Sequence, residues 1–140
     1  MSGVAAFDGA WYICEGYARV CNGNKYNHIS TDGKLLSDEW WDDAWSFSEG
    51  YAVVWKGGKY NHIGTDGKLL STEWWDDAGE FYEGYAVVLM DDKYNHIGTD
   101  GKLLSTEWWD DAWSFHNGYA RVWKDGKEYK IDTNGNVTEL

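Results

Sequence analysis

Glu-Trp-Trp-Asp-Asp recurs at residues 39–43, 73–77 and 107–111. Indole rings stack on flat or cationic groups, and carboxylates pair with cations or ligate hard metals. The sequence also repeats His28, His62 and His96, and three imidazoles suffice for a zinc site. Yet the acids form no EF-hand loop and no glycine-rich calcium nonapeptide. Cys14 and Cys21 do not recur with the other motifs, so they read as reduced thiols rather than as metal ligands or a disulfide framework. No metal or other cofactor is expected.

Enzyme signatures are missing as well. The chain has no Gly-x-Ser-x-Gly elbow, no His-Glu-x-x-His and no phosphate loop. The same groups return at a fixed interval, whereas catalysis usually needs one asymmetric convergence. A non-enzymatic protein is therefore expected.

The elements that position these residues follow from the interval. Gly-Tyr-Ala stands at 16–18, 50–52, 84–86 and 118–120, a period of 34 residues. Four units follow, at 6–39, 40–73, 74–107 and 108–140, within a single repeat domain spanning 1–140. Strand-forming runs such as YAVVWK and KYNHIGT are bounded by turn pairs, and no segment keeps a helical period. The first turn is Gly23-Asn24, Gly57-Gly58, Asp91-Asp92 or Asp125-Gly126, residues that tolerate the positive φ of a tight hairpin. Each unit is too small to bury its own apolar face, so the expected fold is all-β: tandem hairpins stacked as a short solenoid-like array, with a small four-bladed propeller as the alternative.

Positions apolar in every unit are expected in the core: Ala18/Ala52/Ala86/Ala120, Val20/Val54/Val88/Val122, Ile29/Ile63/Ile97/Ile131, Leu35/Leu69/Leu103/Val137 and Ile13/Phe47/Phe81/Phe115. Arg19/Val53/Val87/Arg121 lies between two of them and is expected to face outward. The same comparison divides the tryptophan pairs. Unit one carries Ala6-Phe7-Asp8-Gly9 where the others carry Trp-Trp-Asp-Asp. The second Trp (Trp41, Trp75, Trp109) keeps an aromatic counterpart in Phe7 and is expected in the core. The first (Trp40, Trp74, Trp108) falls to Ala6 and is expected at a binding surface. Asp8, Asp42, Asp76 and Asp110 persist and read as turn caps, while Asp43, Asp77 and Asp111 are free to serve binding. Trp11, Trp45 and Trp113 share a column with Gly79, which suits a groove better than a core, because losing a buried Trp costs about 3–5 kcal/mol.

Net charge is −12, which disfavours nucleic acid and anionic membranes. Unit three holds eight acidic against two basic residues, through Glu80, Glu83, Asp91 and Asp92 among others. A protein with a basic surface would use that concentration.

The stretch KYNHIGTDGKLLSTEWWDDAGEFYEGYAVV (59–88) resembles the WG-repeat, or KWG-repeat, family of bacteria and their phages. That pattern runs Lys-Trp-Gly-Tyr-Ile, a Gly-Lys turn, an aromatic with Asp, then Phe-x-x-Gly and a small-residue strand. Here Tyr26, Tyr60 and Tyr94 stand for the Trp, and Asn27, Asn61 and Asn95 for the Gly. His28, His62 and His96 take the second aromatic position, so each imidazole is expected to replace a ring and make one hydrogen bond. The resemblance implies an all-β repeat array with a binding role.

The expected function is thus an acidic, tryptophan-rich binding protein. Its partner-binding residues would be Trp40, Trp74, Trp108, Trp45, Trp113, Asp43, Asp77, Asp111, Glu80, Glu83, Asp91 and Asp92. One form is a phage-encoded anti-defence inhibitor that blocks a nucleic-acid-binding enzyme. The rivals are a glycan or cell-envelope binder, in which Trp stacks on sugars, and a structural spacer. The N-terminus shows no signal peptide, which favours a cytoplasmic setting.

Overall fold

The computed structural model describes residues 9–140, with side chains from Ile13 onward. The readings placed on Ala6, Phe7 and Asp8, and on the Trp11 side chain, lie outside these. The described residues form strands and no helix, hence no helix long and apolar enough to cross a membrane.

Four antiparallel meanders follow the repeat. They are β1 (Gly9–Cys14), β2 (Tyr17–Asn22) and β3 (Lys25–Ser30); β4 (Asp43–Ala44), β5 (Tyr51–Lys56) and β6 (Lys59–Gly64); β7 (Asp77–Ala78), β8 (Tyr85–Met90) and β9 (Lys93–Gly98); and β10 (Asp111–Ala112), β11 (Tyr119–Lys124) and β12 (Lys127–Asp132), with β13 (Val137–Glu139) added at its edge. The chain divides into two compact units, Met1–Thr72 with the first two sheets and Glu73–Leu140 with the last two.

Each sheet has a third strand beyond the expected hairpin. In the last three sheets the Asp-Ala of the WWDDA motif supplies it, pairing Asp43 with Trp55 and Ala44 with Val54 in the second; in the first it is β1. It is joined to the hairpin by a second tight turn, Glu15-Gly16, Glu49-Gly50, Glu83-Gly84 or Asn117-Gly118, with both residues at positive φ. Glycine carries that φ at no steric cost, which is why the Gly of Gly-Tyr-Ala recurs. In the hairpin turn proper, Asp91 (φ 52) and Asp92 (φ 66) both take the left-handed conformation expected of them.

Most apolar columns lie where alternation puts them. The Val20/Val54/Val88/Val122 column is fully buried, and Phe47, Phe81 and Phe115 are buried too. Three expectations need correction. Leu35, Leu69, Leu103 and Val137 are exposed. In the first three the backbone bridges back to the preceding Ile, as Leu35 does to Ile29, and the next leucine turns inward. Leu104 accordingly packs on the Trp109 cluster. Ile13 is also exposed, whereas its counterparts Phe47 and Phe115 pack against His28 and His96 of the preceding repeat. Finally, Val53 is buried rather than outward-facing. Two other members of the column face the next repeat: Arg19 Nη1 donates to the Ala44 carbonyl at 2.8 Å, and Val87 packs on the Trp109 cluster.

Candidate functional site

The tryptophan pairs split between two environments. Trp41, Trp75 and Trp109 are buried at 2–3% exposure, as expected. Trp40, Trp74 and Trp108 are half-buried, which corrects the reading of a freely displayed column. Trp40 packs against Ala18, Val20 and Ile29 of the repeat before it. Trp108 lies 6.4 Å from Trp75, ring to ring, again across a repeat boundary. Trp40 and Trp108 thus stitch each repeat to the one before it.

Trp45 is half-buried, with its ring 5.9 Å from Tyr60. Trp113 is the most open of the predicted rings, 54% exposed, lying 4.8 Å from Trp123 with the Arg121 guanidinium 6.0 Å above it.

The paired aspartates also divide. Asp42 Oδ2 accepts the Gly57 N–H at 2.8 Å, Asp76 Oδ2 the Asp91 N–H at 2.9 Å, and Asp110 Oδ2 the Asp125 N–H at 2.8 Å. These are the turn caps read from the sequence. Lys25 bonds Asp42 and Lys93 bonds Asp110, and these partners, together with the backbone N–H bonds, hold both carboxyls below the usual range. The second aspartates bind locally: Asp43, Asp77 and Asp111 each accept the N–H of the following alanine at 2.8 Å. Asp77 and Asp111 are exposed and Asp43 half-buried.

Glu83 is a correction. Its carboxylate accepts the N–H groups of Asn117 and Gly118 at 2.7 and 2.9 Å, and these bonds lower its pKa. Glu15 does the same for Glu49 and Gly50. This acid is a staple from one repeat's turn to the next rather than a partner ligand. Glu80, Asp91 and Asp92 remain exposed.

Two polar columns hold this arrangement, of which the sequence assigns a role only to the histidines. Asn27, Asn61 and Asn95 are fully buried. Asn95 Nδ2 donates to the carbonyls of Ser105 (2.9 Å) and Glu107 (3.2 Å), and its Oδ1 accepts the His96 N–H at 2.8 Å. The next residue continues the link. His28 and His96 bond the carbonyls of Trp45 and Trp113 through Nε2, at 2.6 and 2.7 Å, and sit edge-on to Phe47 and Phe115. The single hydrogen bond and ring contact expected of these imidazoles are both present. One signal was available: Glu15, Glu83, His28 and His96 act on the following repeat, and repeat four replaces the Glu and His with Asn117 and Lys130. No group of three or more metal-ligating side chains gathers among the described residues.

Burial pushes the pKa of His28 and His96 down, against the opposing pull of their carbonyl bonds. Both imidazoles are therefore neutral in the fold, with Nε2 carrying the proton. The unfolded chain, with histidine pKa near about 6.5, binds more protons in the window below that value, so stability falls as pH drops. Urea melts at pH 7 and pH 5.5 should show this loss, and His96→Gln should shrink it. An unchanged pH slope in the variant would count against the assignment. The cap carboxyls of Asp42 and Asp110 are held below their ordinary range, so they stay ionised across this window.

Comparison with known proteins fits this construction. The family model described as WG containing repeat matches residues 5–26, 29–60, 75–94 and 109–127, more than half of the chain. No curated protein sequence matches. Among solved structures, Kluyveromyces lactis Hsv2 with its loop 6CD replaced by a Gly-Ser linker is similar at 11% identity and TM-score 0.55, covering 96% of this chain and 52% of that one. The N-terminal domain of Nup159 is 8% identical with TM-score 0.49, covering 96% and 43%. A hemopexin-fold protein, CP4 from cow pea, is 14% identical with TM-score 0.35, covering 96% and 91%. The chain spans about half the length of the first two. At these identities the Hsv2 likeness concerns fold alone, and it supports the propeller-like alternative alongside the hairpin array.

Proposed function

The chain belongs to the family of WG-containing repeats, and on that premise we propose that it is a non-enzymatic binding protein whose acidic, tryptophan-bearing repeats engage a protein with a basic surface. One observation carries this reading. In repeat three Asp77, Glu80, Asp91 and Asp92 are all exposed, and among the described residues none of the four enters an ion pair. The acids of the neighbouring motif positions, Glu39, Asp42, Glu107 and Asp110, are by contrast matched by lysines. Unmatched like charges in one repeat repel each other, and a cationic partner relieves that repulsion. An inhibitor that covers the basic channel of a nucleic-acid-binding enzyme is one form of this function.

The double variant Asp91→Asn/Asp92→Asn tests it. Asparagine keeps the left-handed turn, so thermal stability should change by less than about 0.5 kcal/mol. Capture of a basic partner from a bacterial lysate should drop, and wild-type capture should weaken in about 0.5 M salt. Capture indifferent to both changes would refute the electrostatic reading.

A glycan reading draws support from Trp113, whose open ring beside Trp123 offers a stacking platform. Trp113→Ala should then abolish retention on a polysaccharide column, whereas the protein-partner reading expects no retention of the wild type.

A further inference from the structure

Repeat three lacks an indole that its sister repeats possess. Trp45 packs on Tyr60 in repeat two, and Trp113 packs on Trp123 in repeat four. The corresponding residues in repeat three are Gly79, Leu89 and Tyr94. The space has not collapsed. A cavity of about 170 Å³ remains, lined by Asp77, Ala78, Gly79, Val87, Leu89 and Tyr94. A Cβ placed on Gly79 would meet only the Val87 carbonyl, at 3.9 Å. The backbone around it is set, with Asp77 and Ala78 paired to Leu89 and Val88 and the Gly79 N–H bonded to the Val87 carbonyl at 2.9 Å. An apolar cavity of about 150 Å³ is known to admit benzene, so this one has room for a flat ring.

Charge narrows the ligand further. Asp77 lines the wall, Glu80 follows Gly79 in the chain, and the bond from Asp76 to the Asp91 N–H brings the Asp91-Asp92 turn alongside. The nearest lysine of that turn, Lys93, is bonded to Asp110. We infer that repeat three carries a binding slot for a planar aromatic cation, with the ring lying over Leu89 and Tyr94 and the positive group toward Asp77. This site shares Asp77, Glu80, Asp91 and Asp92 with the partner-binding face proposed above, but its test by small-molecule titration does not need that partner.

Three probes share one ring and differ in charge: tryptamine, indole and indole-3-acetate. In NMR or calorimetric titrations, tryptamine should bind severalfold more tightly than indole, and indole-3-acetate most weakly. About 0.5 M salt should narrow the spread. Asp77→Asn should bring tryptamine down to the affinity of indole. Gly79→Trp restores the sister repeats' residue and should weaken all three at least tenfold while keeping the fold. If that variant fails to fold, Leu89→Trp fills the slot from its floor on the middle strand. Absence of saturable indole binding, or binding unchanged by a folded filling variant, would overturn the site. Equal affinity for tryptamine and indole-3-acetate would overturn its charge selectivity.

Discussion

Trp109→Ala should lower the unfolding free energy by about 3–5 kcal/mol, whereas Trp108→Ala, one residue away, should cost only about 1–2 kcal/mol. Trp109 is 2% exposed and sits in a cluster with Ala112, Phe115, Ala120, Val122 and Ile131, so truncation leaves a cavity in a packed interior. Trp108 is half-buried, and its main ring neighbour is Trp75. Chemical denaturation of the two variants side by side measures the split. Equal costs would mean that the first tryptophan is as much core as the second. Trp109→Phe should fall well below Trp109→Ala. The buried indole Nε1 of Trp109 has no hydrogen-bond partner, so phenylalanine removes bulk without orphaning an acceptor.

Asn95→Ala should cost about 2–4 kcal/mol, although it removes no apolar surface to speak of. The side chain serves the carbonyls of Ser105 and Glu107 and the N–H of His96 from a fully buried position. Each buried polar group left without a partner costs about 1–3 kcal/mol. Asn95→Asp is the discriminating companion, because it keeps the acceptor and removes the donor. It should be nearly as damaging as alanine, since a carboxylate would face two carbonyl oxygens. Equilibrium melts that rank Asp close to wild type would show that the donor bonds contribute little.

Both predictions concern residues of the repeated unit, and they differ in how visible they were. The burial of Trp75 and Trp109 was legible because unit one keeps an aromatic, Phe7, at that position. The capping role of Asp42, Asp76 and Asp110 was legible for the same reason. Asn95 was not. Comparison with the family pattern treats it as a replaced glycine, and a polar residue in a strand reads as outward-facing until the loop it holds is seen. Glu83 was misread because its charge was counted with the acidic excess, while its partners are two backbone amides 34 and 35 residues further on.

The period, the strands, the turn pairs and most of the core columns were determined by the sequence alone. Period-two burial and positive-φ turns are local constraints that any repeat must meet with the residues at hand. The tertiary structure decided what each repeat does to its neighbour. It turned Trp40 and Trp108 into stitching rings, Glu83 into a staple, and His28 and His96 into links to the next repeat, while Asn95 ties down its own repeat's loop. It also left the place of the missing indole at Gly79 open as a cavity. Those outcomes depend on contacts across tens of residues, which alternation and turn chemistry within one unit do not encode.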